Sequence, residues 1–162
     1  YIMIDIFVEN NLDFSRENLK NVVKKTATLA IKELKPSCQK IPFYVSILLT
    51  NNERIKKINN KYRKIKKPTN VLAFPQNKEK FVQQLNSFLL LGDLVISVEK
   101  IKMESKEQKK KFNHHLSHMV VHGLLHLLGY KHGNNKEAKL MEIKEGDILA
   151  KLSIPDPYRS YI

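Results

Sequence analysis

The chain has 162 residues, 42% of them hydrophobic, with a single cysteine. That length suits one domain, residues 1–162, which buries roughly 70% of the surface its unfolded chain exposes and needs no disulfides to hold a core. Lys and Arg number 29 against 16 Asp and Glu, a formal charge of +13, which argues against a cation-rich partner and for a polyanion.

In chain order, "IMIDIFVE" (2–9) alternates apolar and polar side chains, as a half-buried strand does. Nothing near it joins a basic start, an apolar core and a small-residue cleavage site, so no signal peptide is expected. The chain opens without a methionine, and a few residues are expected to precede it. A helix should follow from about Ser15, its cap, with Leu19, Val22, Val23, Leu29, Ala30 and Leu34 as the buried stripe. "KPSCQK" ends that helix in a turn, where Cys38 reads as a loop thiol. With no second cysteine there is no disulfide framework, and a reducing, cytoplasmic location is expected.

"FYVSILLT" (43–50) is rich in strand formers, and "NNERIKKINNKYR" reads as a short helix with Ile55, Ile58 and Tyr62 inward. Residues 54–67, "RIKKINNKYRKIKK", carry eight basic side chains and no acid. With a second basic knot, "KEQKKK" (106–111), this clustering points to RNA or DNA ahead of an acidic membrane. "PTNVLAFP" (68–75) suits a short strand at a sheet edge, because proline cannot donate to a ladder. Residues 76–88 read as a loop or lid, and "LLLGDLVISVE" (89–99) as a strand in which Asp93 interrupts an apolar run.

Three helices should close the chain: a basic one over 100–111, a buried one over about 112–128 and an amphipathic one over about 135–151. The stretch 112–130 lacks Lys, Arg, Asp and Glu but holds five histidines, and is no membrane span. Strands come mostly first and helices last. The expected class is α+β, a mixed four-stranded sheet covered by about five helices, one of them a buried metal-binding helix.

Within the buried helix, "HHLSHMVVHGLLHLLG" places His115, His118, His122 and His126 near one face, at steps of three and four. Two nitrogens on one zinc ion lie within roughly 4 Å of each other. His118 and His126 are about 12 Å apart along a helix axis. Only an adjacent pair can therefore share an ion, and a third donor must come from chain that turns back. Gly129 stands where a helix end takes a left-handed residue, and His132 follows it. His122, His126 and His132 form the expected ligand set. His114 and His115 are expected at solvent or a nucleic-acid groove. His118 reads either as a hydrogen-bonding neighbour of the site or as a core histidine. Met141 reads as a pocket floor or a core residue, and Asp93 as a support for the site or a structural carboxylate.

The stretch "HMVVHGLLHLLGYKH" resembles the signature of the YbeY family of bacterial metal-dependent endoribonucleases, H-G-x-L-H-L-x-G-Y-D-H, with Lys131 in place of its aspartate. "YRKIKKPTNVLAFP" (62–75) is similar to that family's Y-R-x-x-x-x-P-T-D-V-L-S-F-P, with Asn70 and Ala73 as departures, and "LGDLVIS" (91–97) to its L-G-D-I-x-I-S. The resemblance runs from the first strand to the terminal helix. It implies a zinc-dependent endoribonuclease that prefers single strands and acts on ribosomal RNA of the small subunit. Its implied role is in 16S rRNA 3′-end maturation and ribosome quality control. It also implies His122, His126 and His132 as ligands of one Zn2+, and Arg63 and His122 as catalytic residues. Lys131 leaves open which group supports His132. A weaker alternative is a ribosome-assembly binding module with structural zinc. The spacing also matches the metzincin zinc proteases, H-E-x-x-H-x-x-G-x-x-H, but Gly123 stands where their glutamate base would be.

Overall fold

The computed structural model describes residues 2–34, 42–76 and 89–159, so the Cys38 turn and nearly all of the 76–88 loop lie outside the described residues. Four strands, β1 (Ile2–Val8), β2 (Phe43–Thr50), β3 (Val71–Pro75) and β4 (Leu89–Ser97), form one sheet in the order β1-β2-β4-β3. β1, β2 and β4 run parallel, and β3 lies antiparallel on the β4 edge. The described residues also form α1 (Arg16–Leu34), α2 (Asn52–Arg63), α3 (Val98–Glu107), α4 (Phe112–Leu127) and α5 (Asn135–Lys151). The α+β class and the mixed sheet are as the sequence implies.

Strand periodicity sorts the side chains between two faces. Phe43, Val45, Ile47 and Leu49 of β2 and Leu94 and Ile96 of β4 bury toward α1 and α4 in one core. On the other face a smaller cluster joins Ile55 of α2 to Leu72 and Val95. α4 is apolar on nearly every side, as befits a helix packed among others. It touches α1, α3, α5, β3 and β4, which makes it the central element.

Two glycines allow this packing. Gly92 sits at the bulge where β2 and β4 shift register, with φ +136, and a Cβ there would lie 2.2 Å from the Phe74 carbonyl oxygen. Gly123 brings α4 onto the sheet, because a Cβ there would lie 2.8 Å from Leu94. The position after the first histidine therefore faces β4, and the base that a protease would need has no room there.

Several expectations need correction. Tyr62 is 61% exposed, and the buried polar residue of α2 is instead Asn59. Asn59 donates to the Lys67 carbonyl at 2.9 Å and so holds the basic loop back on its own helix. The buried stripe of α1 includes Thr26, Ala27 and Ile31, while Leu29 is only half-buried. The Thr26 hydroxyl hydrogen-bonds Ser117 of α4 at 2.8 Å, which explains a buried threonine on an otherwise apolar stripe. The third helix covers 98–107 and not 100–111. Ser97 caps it, accepting from the Lys100 amide, and the chain turns at Lys109 with φ 55. "KEQKKK" is thus a helix end followed by a turn.

Candidate metal centre and its groove

The ligand helix ends as its sequence requires. Gly129 takes φ +98, its amide donates to the His126 carbonyl at 3.0 Å, and the Tyr130 amide donates to the Leu125 carbonyl at 3.0 Å. This is a Schellman turn, which satisfies the last helical carbonyls and reverses the chain. Asn134 then caps α5 by accepting from the Glu137 amide. The short reversal between the two helices carries His132 back over α4.

His122, His126 and His132 consequently converge, with one ring nitrogen from each lying within 4.8 Å of the others. The Nδ1–H of His126 donates to the Tyr130 carbonyl at 3.0 Å, and the Nδ1–H of His122 donates to Glu145. Both Nε2 atoms are then left as bare lone pairs, and they face each other at 3.1 Å. Two lone pairs at that separation repel unless a cation lies between them. This donor set fits a metal of the imidazole-binding kind, with the His122 and His126 rings each held from behind by an oxygen. Burial lowers the His126 pKa, and His122 and His132 add to the shift while the Tyr130 carbonyl opposes it. That keeps the ring neutral, as ligation requires. His132 is exposed, and among the described residues no hydrogen bond holds its ring. Lys131 beside it is exposed too and gives no carboxylate support.

Sequence reasoning missed Glu145 and Tyr158. Glu145 is fully buried, and its carboxylate takes hydrogen bonds from His118, His122 and Tyr158. Burial alone would raise its pKa, but these three donors overcome burial and hold it at about 2. Burial and the facing Glu145 push the Tyr158 hydroxyl well above its ordinary value, so it remains a donor. A signal was available, because Glu145 shares the stripe of Met141, Ile148 and Leu149 on an amphipathic helix. An acid on that stripe needs a buried partner. Met141 is itself 1% exposed and belongs to the core, while also lining a cavity beside His122 and His132.

The other histidines divide. His118 is buried and belongs to the site's support through Glu145. His115, expected at the surface, is only 3% exposed and its Nε2 meets Glu104 of α3 at 3.1 Å. Asn70 donates to the same Glu104 at 3.1 Å, which an ionised aspartate could not do. Asp93 is exposed on β4 and accepts a hydrogen bond from the Ser46 hydroxyl.

Arg63, the last residue of α2, lines one groove together with the three histidines, Tyr62, Phe74, Tyr130 and Lys131; its volume is about 830 Å³. The neighbouring Lys64 takes a left-handed φ of 61 and ends the helix there. Tyr62 and Phe74 pack edge to face with ring centroids 5.2 Å apart, leaving an aromatic surface on the groove wall.

The chain is similar to known proteins over most of its length. The family model described as "Endoribonuclease YbeY" matches residues 5–153. Endoribonuclease YbeY of Bartonella bacilliformis is 41% identical over 157 residues, covering 97% of each chain. Its namesake in Bradyrhizobium diazoefficiens is 47% identical over 115 residues, which span 70% of this chain and 63% of that one. The solution structure of TM1509 from Thermotoga maritima matches with a TM-score of 0.57 at 22% identity, over 98% of this chain and 97% of that chain, and shares its fold. With the family model spanning most of the chain, and the three-histidine cluster, glycine turn and arginine groove all in place, this chain belongs to the endoribonuclease YbeY family.

Proposed function

We propose that this protein is a zinc-dependent endoribonuclease acting on single-stranded RNA, with ribosomal RNA of the small subunit as its substrate. Its place is the cytoplasm, in 16S rRNA 3′-end maturation and ribosome quality control. The observation that carries this reading is the sharing of one groove by three convergent imidazoles and Arg63, in a chain of charge +13. When bound, the metal supplies Lewis-acid and water-activating chemistry at a phosphodiester.

The protein's own residues do the rest. Glu145 and the Tyr130 carbonyl orient His122 and His126 so that both Nε2 atoms point to one place. The Arg63 guanidinium binds two non-bridging phosphate oxygens and offsets the charge that grows on them during cleavage. Tyr62 and Phe74 offer faces on which unpaired bases stack, the source of a preference for single strands. Lys64, Lys66 and Lys67 neutralise the flanking backbone. A purely structural zinc site closes with four protein donors, whereas among the described residues three donors open onto a groove, which favours catalysis.

The test measures single-turnover cleavage of a small-subunit rRNA fragment alongside its binding. Arg63→Lys should slow cleavage at saturating protein by more than it weakens binding, since a lysine cannot grip two oxygens. His126→Ala should lose metal and cleavage together. Normal cleavage by Arg63→Lys would reduce Arg63 to one phosphate contact among many, and full activity of metal-free protein would end the metal reading.

A further inference from the structure

A second cavity lies beside the metal centre, on the far side of Tyr158. It measures about 510 Å³ and is walled by the lysine turn Lys109–Lys111, His114, His115, His118 and the tail around Arg159. The site described above does not use it.

Its charge is one-sided. Among the described residues, Lys109, Lys110, Lys111 and Arg159 line the cavity and Asp156 is its one acid. That carboxylate accepts from the Tyr158 amide at 2.9 Å, which spends part of its charge within the tail. The cavity also sits at the N-terminus of α4, a helix of 16 residues with no side-chain cap at Lys111 and no acid in its first turn. The first amides of such a helix have no partners within it and carry the positive end of its dipole.

The buried histidines supply an independent observation. His115 is 3% and His118 7% exposed. Each Nε2 is spent on a glutamate, Glu104 and Glu145 respectively. Each Nδ1 is buried and has no hydrogen-bond partner among the described residues. Orphaned buried ring nitrogens are uncommon, because leaving one unpaired costs about 1–3 kcal/mol. Two of them belong to rings in the wall of one basic cavity.

We infer that this cavity is a second phosphate-binding site, taking a tetrahedral phosphate group between the first amides of α4, the lysine turn and Arg159. A phosphate there completes the helix N-terminus, as anions commonly do. A phosphate oxygen or hydroxyl within reach of the two histidines gives their Nδ1 atoms a partner, as acceptor to a protonated ring or as donor to a neutral one. His118 and His122 stand one turn apart on α4 and share Glu145. The two sites are therefore neighbours, separated by Tyr158. If the chain cleaves RNA as proposed, the strand itself supplies this phosphate, and that assignment of source rests on the nuclease reading. The site does not.

Titration of zinc-loaded, isotopically labelled protein with inorganic phosphate tests the site without any cleavage. The amides of Phe112, Asn113 and His114 and the ring nitrogens of His115 and His118 should shift together and saturate on one curve. The double variant Lys111→Ala/Arg159→Ala should weaken that curve about tenfold, while Lys24→Ala, on the exposed side of α1, should leave it unchanged. Single-stranded RNA in place of phosphate then identifies the source. If it moves the same signals the strand is the ligand; if only the free ion moves them the free ion is, and both outcomes uphold the site. Shifts confined to Gly129–His132, shifts that never saturate, or a curve unaltered in the double variant would overturn it.

Discussion

Glycine shows how differently one residue type acts at different positions. At Gly129 the left-handed φ of +98 is the whole requirement, since a Cβ there meets nothing within 4 Å. At Gly92 an equally unusual φ adds to a collision with the Phe74 carbonyl. Gly129→Ala should therefore cost about 1 kcal/mol of strain, and Gly92→Ala distinctly more, because backbone must move. Urea unfolding of the two variants checks the order, and equal costs would show that the bulge relaxes freely. Tyr62 is the other residue where context decides the role. Its exposure at the groove makes it a stacking surface, so Tyr62→Ala should weaken single-stranded RNA binding by about 1–3 kcal/mol without lowering stability. Duplex RNA, whose bases are already stacked, should be nearly indifferent to it.

At the scale of elements, α4 receives a glutamate from each of two neighbours, Glu145 fully buried and Glu104 half-buried. Glu145 of α5 fixes the His122 ring, and Glu104 of α3 meets His115. Glu145→Gln keeps the shape but removes the charge that faces the His122 Nδ1–H and fixes its ring, so zinc affinity should fall about 10–100-fold with the fold intact. Competition with a chromophoric chelator measures this, and unaltered affinity would make Glu145 a packing residue. His115 has a different consequence. Burial lowers its pKa below the ordinary 6.5, although Glu104 opposes the shift; His118 and Lys110 reinforce it. The unfolded chain thus binds this proton more readily than the folded one. Its contribution to stability is complete above about pH 6.5 and is lost as pH falls through the lower, folded value. His115→Gln should flatten the dependence of stability on pH over that interval, read from urea unfolding in a series of buffers.

For the whole molecule, charge acts differently from any one contact. The +13 excess lies partly along the groove, at Arg63 and Lys131, and partly at the lysine turn of the second cavity. Binding to RNA should fall steeply with salt, each neutralised phosphate adding a slope of about 0.7 for a single strand. Replacing Lys66 and Lys67 with alanine should lower that slope. The same pair should leave single-turnover cleavage at saturating protein nearly unchanged. No helix among the described residues is long and apolar enough to cross a membrane.

Features that depend on neighbours in sequence were legible from the residues alone. Helical pitch puts His122 and His126 on one face, and the left-handed preference at Gly129 turns His132 toward them. Alternation and proline placed the strands and put β3 at an edge. Lysine spacing marked the basic surfaces. What joins residues far apart in the chain was decided by tertiary packing. Glu145 reaches His122 only because α5 returns across α4, and Tyr158 reaches Glu145 because the tail folds over both. Tyr62 faces outward because Asn59 takes the inner position to bind the Lys67 carbonyl. His115 is buried because α3 brings Glu104 to meet it. Periodicity reports which side of an element is apolar, but a polar group on that side is stable only with a partner. The partner's identity follows from which elements the core brings together.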